Sequence, residues 1–455
     1  MEPADLRFGG GAADTRLHPL VAVALALAII SIFVLPRRRA IAPFLSAVLL
    51  IPFGQVVVVG GVHFSAYRIV VLFGLLRLMT LKTRAAGGFN DIDKAFTYCA
   101  LFSALTFFLL YMETTALINR LGSLIDALGG YFVLRFLIQD RQDVRRTIKL
   151  LAVIAMINAL VMLPEQFSHQ NIIQPLGGIP SLEVRNGQVR SNSVFEHSIL
   201  AGTFGATLMP LFVGLWKSGR LKRVALLGIA ASTVMTLTSN SSTPLGAYVY
   251  GILGLCFWPL RSQMRAIRWG VAGLLVGLHL VMKAPVWALI ARIDLTGSSS
   301  SYHRFLLVDN CIRHFSDWWL LGAKDYDTWA YGMYDLGNEY VLRAETGGLI
   351  TLIFFIAIIS RSFKNIGMAR KLVAGDREQE WMLWAMGSAL FAHMIAYLGI
   401  SYFDQTQVAW YALLAIISAA ASQALRAPVR PVTEGSGSSC PAASRVNWDL
   451  QEMKP

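Results

Sequence analysis

Long apolar runs broken by short basic gaps dominate the chain. A helix of about 20 apolar residues crosses the hydrocarbon layer of a bilayer. Thirteen runs approach that length, at 18–35, 41–59, 67–81, 95–112, 121–138, 148–163, 198–216, 224–237, 245–260, 269–286, 347–359, 382–400 and 408–424. The pattern predicts an all-α, polytopic membrane protein with about 12–13 transmembrane helices. The runs at 67–81, 224–237 and 347–359 are the shortest. The first run has no basic stretch before it, and Arg37, Arg38 and Arg39 follow it. That order reads as a retained anchor rather than a cleaved signal.

Lysine and arginine resist translocation and collect in cytoplasmic gaps. Alternate gaps hold most of the 40 basic residues. Among them are Arg37 to Arg39, then Lys82 and Arg84, then Arg141, Arg145 and Arg146, then Lys217, Lys222 and Arg223, then Arg261, Arg265 and Arg268, then Arg361, Lys364 and Arg370. These gaps are expected to be cytoplasmic. Residues 1–17 then form a short non-cytoplasmic N-terminus, 18–424 the transmembrane domain and 425–455 a cytoplasmic tail. The Pro, Gly and Ser content of 427–439 predicts disorder there. Two outward segments are long, at about 164–197 and 287–346. The second carries Trp318, Trp319, Trp329, Tyr331 and Tyr334 among many charges, which predicts a helical loop. Its aromatics suit anchoring at the bilayer interface or stacking on sugar rings.

Composition changes the picture little. The chain is 55% hydrophobic and 15% charged, against roughly 25% charged for a soluble domain, so lipid serves as solvent for most of it. The net charge of +13 follows from the basic gaps. It forms no single patch, and a nucleic-acid partner is not expected. Of the four cysteines, only Cys311 falls on an outward segment, so no internal disulfide is expected. No Cys/His cluster has zinc spacing, no Walker A loop occurs, and no GxGxxG follows a strand. Neither a metal nor a nucleotide cofactor is therefore expected.

Ionisable residues inside apolar runs are costly and mark candidate sites. They are Arg68, Asp126, Arg135, Glu165, His279 and His393. Arg68, Arg77 and Arg135 lie near run ends, from which they can snorkel to the interface. The two histidines read as hydrogen-bonded packing residues. The run from Arg190 through Glu196 and His197 leads into the helix predicted at 198–216. Arginine binds phosphate with a planar fork, so such a rim suits a pyrophosphate. The second long segment repeats the theme with His303 and Arg304, then Asp335, Asn338, Glu339, Tyr340 and Glu345.

Three stretches carry a resemblance. They are Glu165 with RSNSVFEHSILAGTFGATLMPL, then TLTSNSSTPLGAYVYGIL, then YHRFLLVDNCIRHFSDWWLLGAKDY continuing to GNEYVLRAETGGLITLIFF. In order and spacing they resemble the O-antigen ligase and polysaccharide polymerase family, bacterial membrane glycosyltransferases of the C type. The resemblance covers about 41–424. It implies a multi-pass protein of the bacterial inner membrane with a large helical periplasmic loop and a periplasmic active face. Such enzymes move a glycan from an undecaprenyl pyrophosphate donor to a sugar hydroxyl of an acceptor, without ATP, nucleotide sugar or other cofactor. By matching position, Arg190 and Arg304 hold the departing pyrophosphate. Glu165 and Glu339 join them as catalytic candidates, and Glu196, His197, His303, Asn338 and Tyr340 as substrate-binding ones. A chain-length regulator and a flippase are possible partners.

Two departures stand out. Gly337-Asn338 occupies the place of a His-Asn pair, leaving His303 or His314 as the nearby histidines. Ser239-Asn240-Ser241 replaces the usual Ser-Arg turn. Both weigh toward a polymerase over a ligase acting on lipid A core. A transporter or flippase is the alternative from another class, and it predicts internal repeats with charges at the midplane.

Overall fold

The structure is a computed structural model, described at residues 14–80, 84–177, 182–185, 187–219, 221–292 and 300–426. Residues 1–13, Lys82 and the tail from 427 lie outside the described residues. The chain is 75% helical with almost no sheet. Seven helices among the described residues are long and apolar enough to cross a membrane. This is the composition of a membrane protein.

Each of the thirteen apolar runs carries a helix, though some runs extend beyond it. The first four helices are α1 (Pro19–Val34), α2 (Arg37–Leu50), α3 (Ala66–Thr80) and α4 (Asp91–Tyr111). The next pass comprises α5 (Thr114–Leu124), a π-turn (Ile125–Gly129) and α6 (Gly130–Leu137). Then come α7 (Arg141–Ser168), α8 (Ser198–Lys217), α9 (Lys222–Thr238), α10 (Ser242–Cys256) and α11 (Met264–Val281). Two helices, α12 (Ser300–Arg313) and α13 (Phe315–Trp318), lie in the long segment before the last three, α14 (Glu339–Leu372), α15 (Arg377–Ala396) and α16 (Gln405–Arg426).

Four boundaries differ from the pattern. The run 41–59 leaves its helix at Leu50, and Val56–Val59 is a strand, β1, paired antiparallel with β2 (Val62–Ser65). Four β-branched residues favour a strand as strongly as a buried helix. Gly60 and Gly61, with φ of 58° and 78°, make the two-residue turn. The segment expected to open at 164 begins only after Ser168, because Pro164 is accommodated inside α7. The run 269–286 ends its α-helix at Val281. The segment expected to reach 346 is helical from Glu339, and α14 bends at Gly348, where φ is 71°. A Cβ there would sit 2.6 Å from the carbonyl oxygen of Leu320, so the close approach of the α13 loop requires glycine.

Ion pairs sort the two ends of the bundle. Arg37 and Arg38 reach Asp143 and Asp140. Arg145 pairs with Glu378, Arg261 and Arg370 share Glu380, and Arg361 lies by Asp91. The basic gaps therefore converge on one end. The opposite end carries β1–β2, a second hairpin of β3 (Glu183–Arg185) and β4 (Gln188–Arg190), the α12–α13 segment, and the 397–404 loop.

One continuous apolar core runs through the bundle, with α8 and α16 its most enclosed helices. A small second core under the α12–α13 segment gathers Leu307, Cys311, Trp318, Met333, Leu336 and Val341. It is carried partly by the first turns of α14, which ties the segment to the bundle. Two of the three arginines expected to snorkel, Arg68 and Arg135, are instead paired with carboxylates, while Arg77 donates to Thr80 and the Leu35 carbonyl near its helix end. Arg68 forks onto Asp126 at 3.0 and 2.6 Å, and Arg135 meets Asp93 at 3.0 Å. An internal carboxylate satisfies a guanidinium more completely than a long reach to the interface.

Candidate functional site

The turn from α9 to α10 is a run of small polar residues, Thr238 to Thr243. Such residues satisfy backbone groups at helix ends. Its first part takes up β4. Ser191 N donates to the Thr238 carbonyl at 3.1 Å, and Asn240 Nδ2 donates to the Val189 carbonyl at 2.6 Å. Its last part takes up α12. Arg304 donates to Thr243 Oγ1 at 2.8 Å and to Ser242 Oγ at 3.3 Å. Arg190 and Arg304 thus flank one turn, at its start and its end. Arg190 is 5% exposed and held by Glu183 at 2.6 Å, with its Nε buried and unbonded.

The 397–404 loop between α15 and α16 joins the other candidates. Asn338 caps α14: its side-chain oxygen accepts from the backbone N–H groups of Tyr340 and Val341, and its amide donates to the Leu398 carbonyl at 3.3 Å. The Glu339 backbone N–H donates to the Tyr397 carbonyl at 2.9 Å. Its carboxylate accepts from Tyr402 N at 2.9 Å and is forked by Arg343 at 2.8 and 2.6 Å. Thr243 Oγ1 donates to the Gly399 carbonyl at 3.2 Å, and Arg304 Nε lies against Gly399. Asp404 accepts from the Thr406 and Glu196 backbone N–H groups at 2.8 and 3.4 Å. His197, exposed, meets Phe403 edge to face.

Two carboxyls outside the helices are shifted. Burial pushes Glu196 up, against a smaller pull from His197. Burial raises Asp404 to about 7; the nearby Glu196 charge adds to the rise and its N–H donors oppose it. Glu196 is half-buried beside the buried Asp404, and burial makes both carboxyls hold a proton more tightly than free ones do.

The remaining candidates serve the frame. Glu165 is fully buried, and Oε2 accepts from Asn192 N and Ser193 N at 3.1 and 3.2 Å. Tyr340 donates to the Met394 carbonyl and packs on Phe355 and Tyr397. His303 contacts the Asp335 carbonyl at 3.0 Å, while His314 stacks on Trp329 and bonds Asp317. His393 bonds the Tyr402 hydroxyl at 2.9 Å within an aromatic cluster, and His279 stacks on Trp287. Both histidines pack as their residue type and setting indicated.

Asp404, Tyr402 and Arg120 escaped sequence reasoning as site residues. Arg343 and Glu339 share a cleft with Arg120 of α5, lined by α4, α5, α14 and α16. Arg120 sits just before an apolar run and Asp404 alone in a short gap, so only a search for charges at run edges marks them. No family model matches the chain, and no curated protein matches it.

Proposed function

We propose that the protein is a membrane glycosyltransferase that transfers or polymerises glycan repeats carried on undecaprenyl pyrophosphate, at the outer face of a bacterial inner membrane. One observation carries the reading. Arg304, the capped start of α14 with Glu339, and the Glu196–Asp404 pair meet around one eight-residue loop, at the end of the bundle opposite the basic gaps. A donor's leaving pyrophosphate needs cations, and an attacking hydroxyl needs a proton acceptor. Arg304 and Arg190 supply the first, Arg190 by exchanging the Glu183 carboxylate for phosphate oxygens. Glu196 supplies the second. Placing the basic end in the cytoplasm puts this loop outside, where lipid-linked repeats are assembled.

The test uses the purified chain in nanodiscs with an undecaprenyl pyrophosphate oligosaccharide and no ATP or nucleotide sugar. Longer lipid-linked glycans and released undecaprenyl pyrophosphate are expected. Arg304→Ala should lower the rate by about 100-fold, the scale for losing one electrostatic stabiliser. Arg304→Lys should recover part of it, lacking the planar fork. Wild-type rates in both Arg190→Ala and Arg304→Ala would remove the clamp. Transfer that appears only when lipid A core is added would make the protein a ligase. A periplasm-active reporter fused after Asp325 should score, and a cytoplasm-active reporter scoring there would overturn the orientation.

A further inference from the structure

Among the described residues, Arg120 is a cation without a countercharge. Its guanidinium carbon lies 3.5 Å from the centroid of the Phe107 ring. Its Nε is buried and bonded to nothing, and it forms no ion pair among the described residues. A cation on an aromatic face gains something, but far less than an ion pair in a dry setting. Arg343, which lines the same cleft, carries the same charge. Glu339 cannot neutralise both, since Arg343 forks one of its oxygens and Tyr402 N takes the other. Two arginines and one engaged carboxylate leave the cleft with an excess positive charge. Such a charge amid spanning helices is retained when something binds it.

We infer that this cleft binds a phosphate-class oxyanion, gripped by Arg120 and Arg343, and that the oxyanion is the head of a lipid. Ser103, Ser123 and Gln407 line the same space, with Ser123 and Gln407 already donating to the carbonyls of Asn119 and Tyr402. The free volume is about 90 Å³. A cleft of this size accommodates a phosphate-sized group. Leu101, Leu105, Leu117 and Leu121, on the two helices that carry Phe107 and Arg120, are exposed at 44, 50, 36 and 49%. They offer an apolar track for a chain attached to the phosphate. The site stands on the cleft and not on glycosyl transfer: a protein that binds the probe through Arg120 and makes no glycan keeps it.

The full chain in phosphatidylcholine nanodiscs would be titrated with a short-chain polyprenyl phosphate, and separately with inorganic pyrophosphate, following Tm and the bound mass by native mass spectrometry. The lipid probe should raise Tm with one copy bound. Arg120→Gln should weaken it at least about tenfold, the effect of removing one partner of a desolvated charge pair. Arg120→Lys should keep part of the affinity. Arg39→Gln, at the opposite end, should bind as wild type. Arg120 holds no carboxylate, so its variant folds where Arg343→Gln would strand Glu339. Equal stabilisation by free pyrophosphate through Arg120 would keep the oxyanion site and overturn the lipid. Wild-type binding of both probes by Arg120→Gln, or no stabilisation of the wild type by either, would overturn the site.

Discussion

Arg120 and Arg135 lie near opposite ends of one helical pass, roughly 22 Å apart at 1.5 Å per residue, and both rest against α4. Arg135 is sealed, with a side chain 1% exposed. Its Nε reaches both oxygens of Asp93, and Nη2 donates to the carbonyls of Ala86 and Gly88 at 2.7 and 3.0 Å. Asp93 also accepts from the Tyr131 hydroxyl and closes the capping box with Asn90. Arg120 rests on the Phe107 ring and forms no ion pair among the described residues. The difference shows what a charge among spanning helices is for. Where partners surround it, it fixes the register of packed helices; where they are missing, it waits for a ligand.

The largest expected effect comes from making the closed site resemble the open one. Asp93→Ala strands Arg135 and removes the capping box. Breaking a buried pair from one side costs about 3–5 kcal/mol, read as lost unfolding stability in detergent. Asp93→Leu with Arg135→Met should recover much of that, since apolar replacement of both partners is often neutral. Arg120→Gln in the absence of ligand should change stability by less than about 0.5 kcal/mol, like a substitution away from any network. Equal costs for Asp93→Ala and Arg120→Gln would abolish the distinction.

The apolar runs made the helices legible, because length and apolarity are what a bilayer-crossing helix demands. They misplaced Val56–Val59 because four valines satisfy strand and helix alike. The pairings were hidden for a different reason. Arg68 finds Asp126 and Arg135 finds Asp93 far along the chain, and a run records which positions are apolar without recording which distant side chain supplies a countercharge. Of the candidate site, Glu196 was legible as a charge beside a predicted helix start, and Arg304 and Glu339 as charges of the second long segment. The loop that unites them was not. It works largely through backbone atoms, the carbonyls of Tyr397, Leu398 and Gly399 and the N–H of Tyr402, which no residue type announces.

Asp404 extends the comparison to a carboxylate held by N–H dipoles in place of a cation. Burial lifts it from 3.8 to about 7. The folded protein therefore binds this proton more tightly than the unfolded chain. Its contribution to stability is whole below about pH 4 and is lost as pH rises through 7. Asp404→Asn keeps an acceptor for Thr406 N and cannot titrate. Against the variant, wild-type Tm should fall between about pH 5 and pH 8. A wild type that gains on the variant over that interval would show that the N–H donors outweigh burial, and that Glu196 does not sit beside a neutral acid.

The smallest effect is expected at Glu165, where one oxygen is satisfied and the other is not. Oε2 accepts from Asn192 N and Ser193 N, while Oε1 is buried and unbonded. Ser193 holds φ at 51°, so these two bonds fix a strained corner at the base of the strand that carries Arg190. Glu165→Gln retains the accepting oxygen and places an amide where the unbonded oxygen was. It should cost less than about 1 kcal/mol, whereas Glu165→Ala, which orphans both N–H groups, should cost about 1–3 kcal/mol. Glutamine cannot take a proton. If Glu165 only holds the corner, Glu165→Gln transfers glycan within about twofold of wild type, since each tenfold in rate needs about 1.4 kcal/mol. A variant with intact Tm and transfer reduced 100-fold would instead put Glu165 in the chemistry, and would mean that the corner opens to admit substrate.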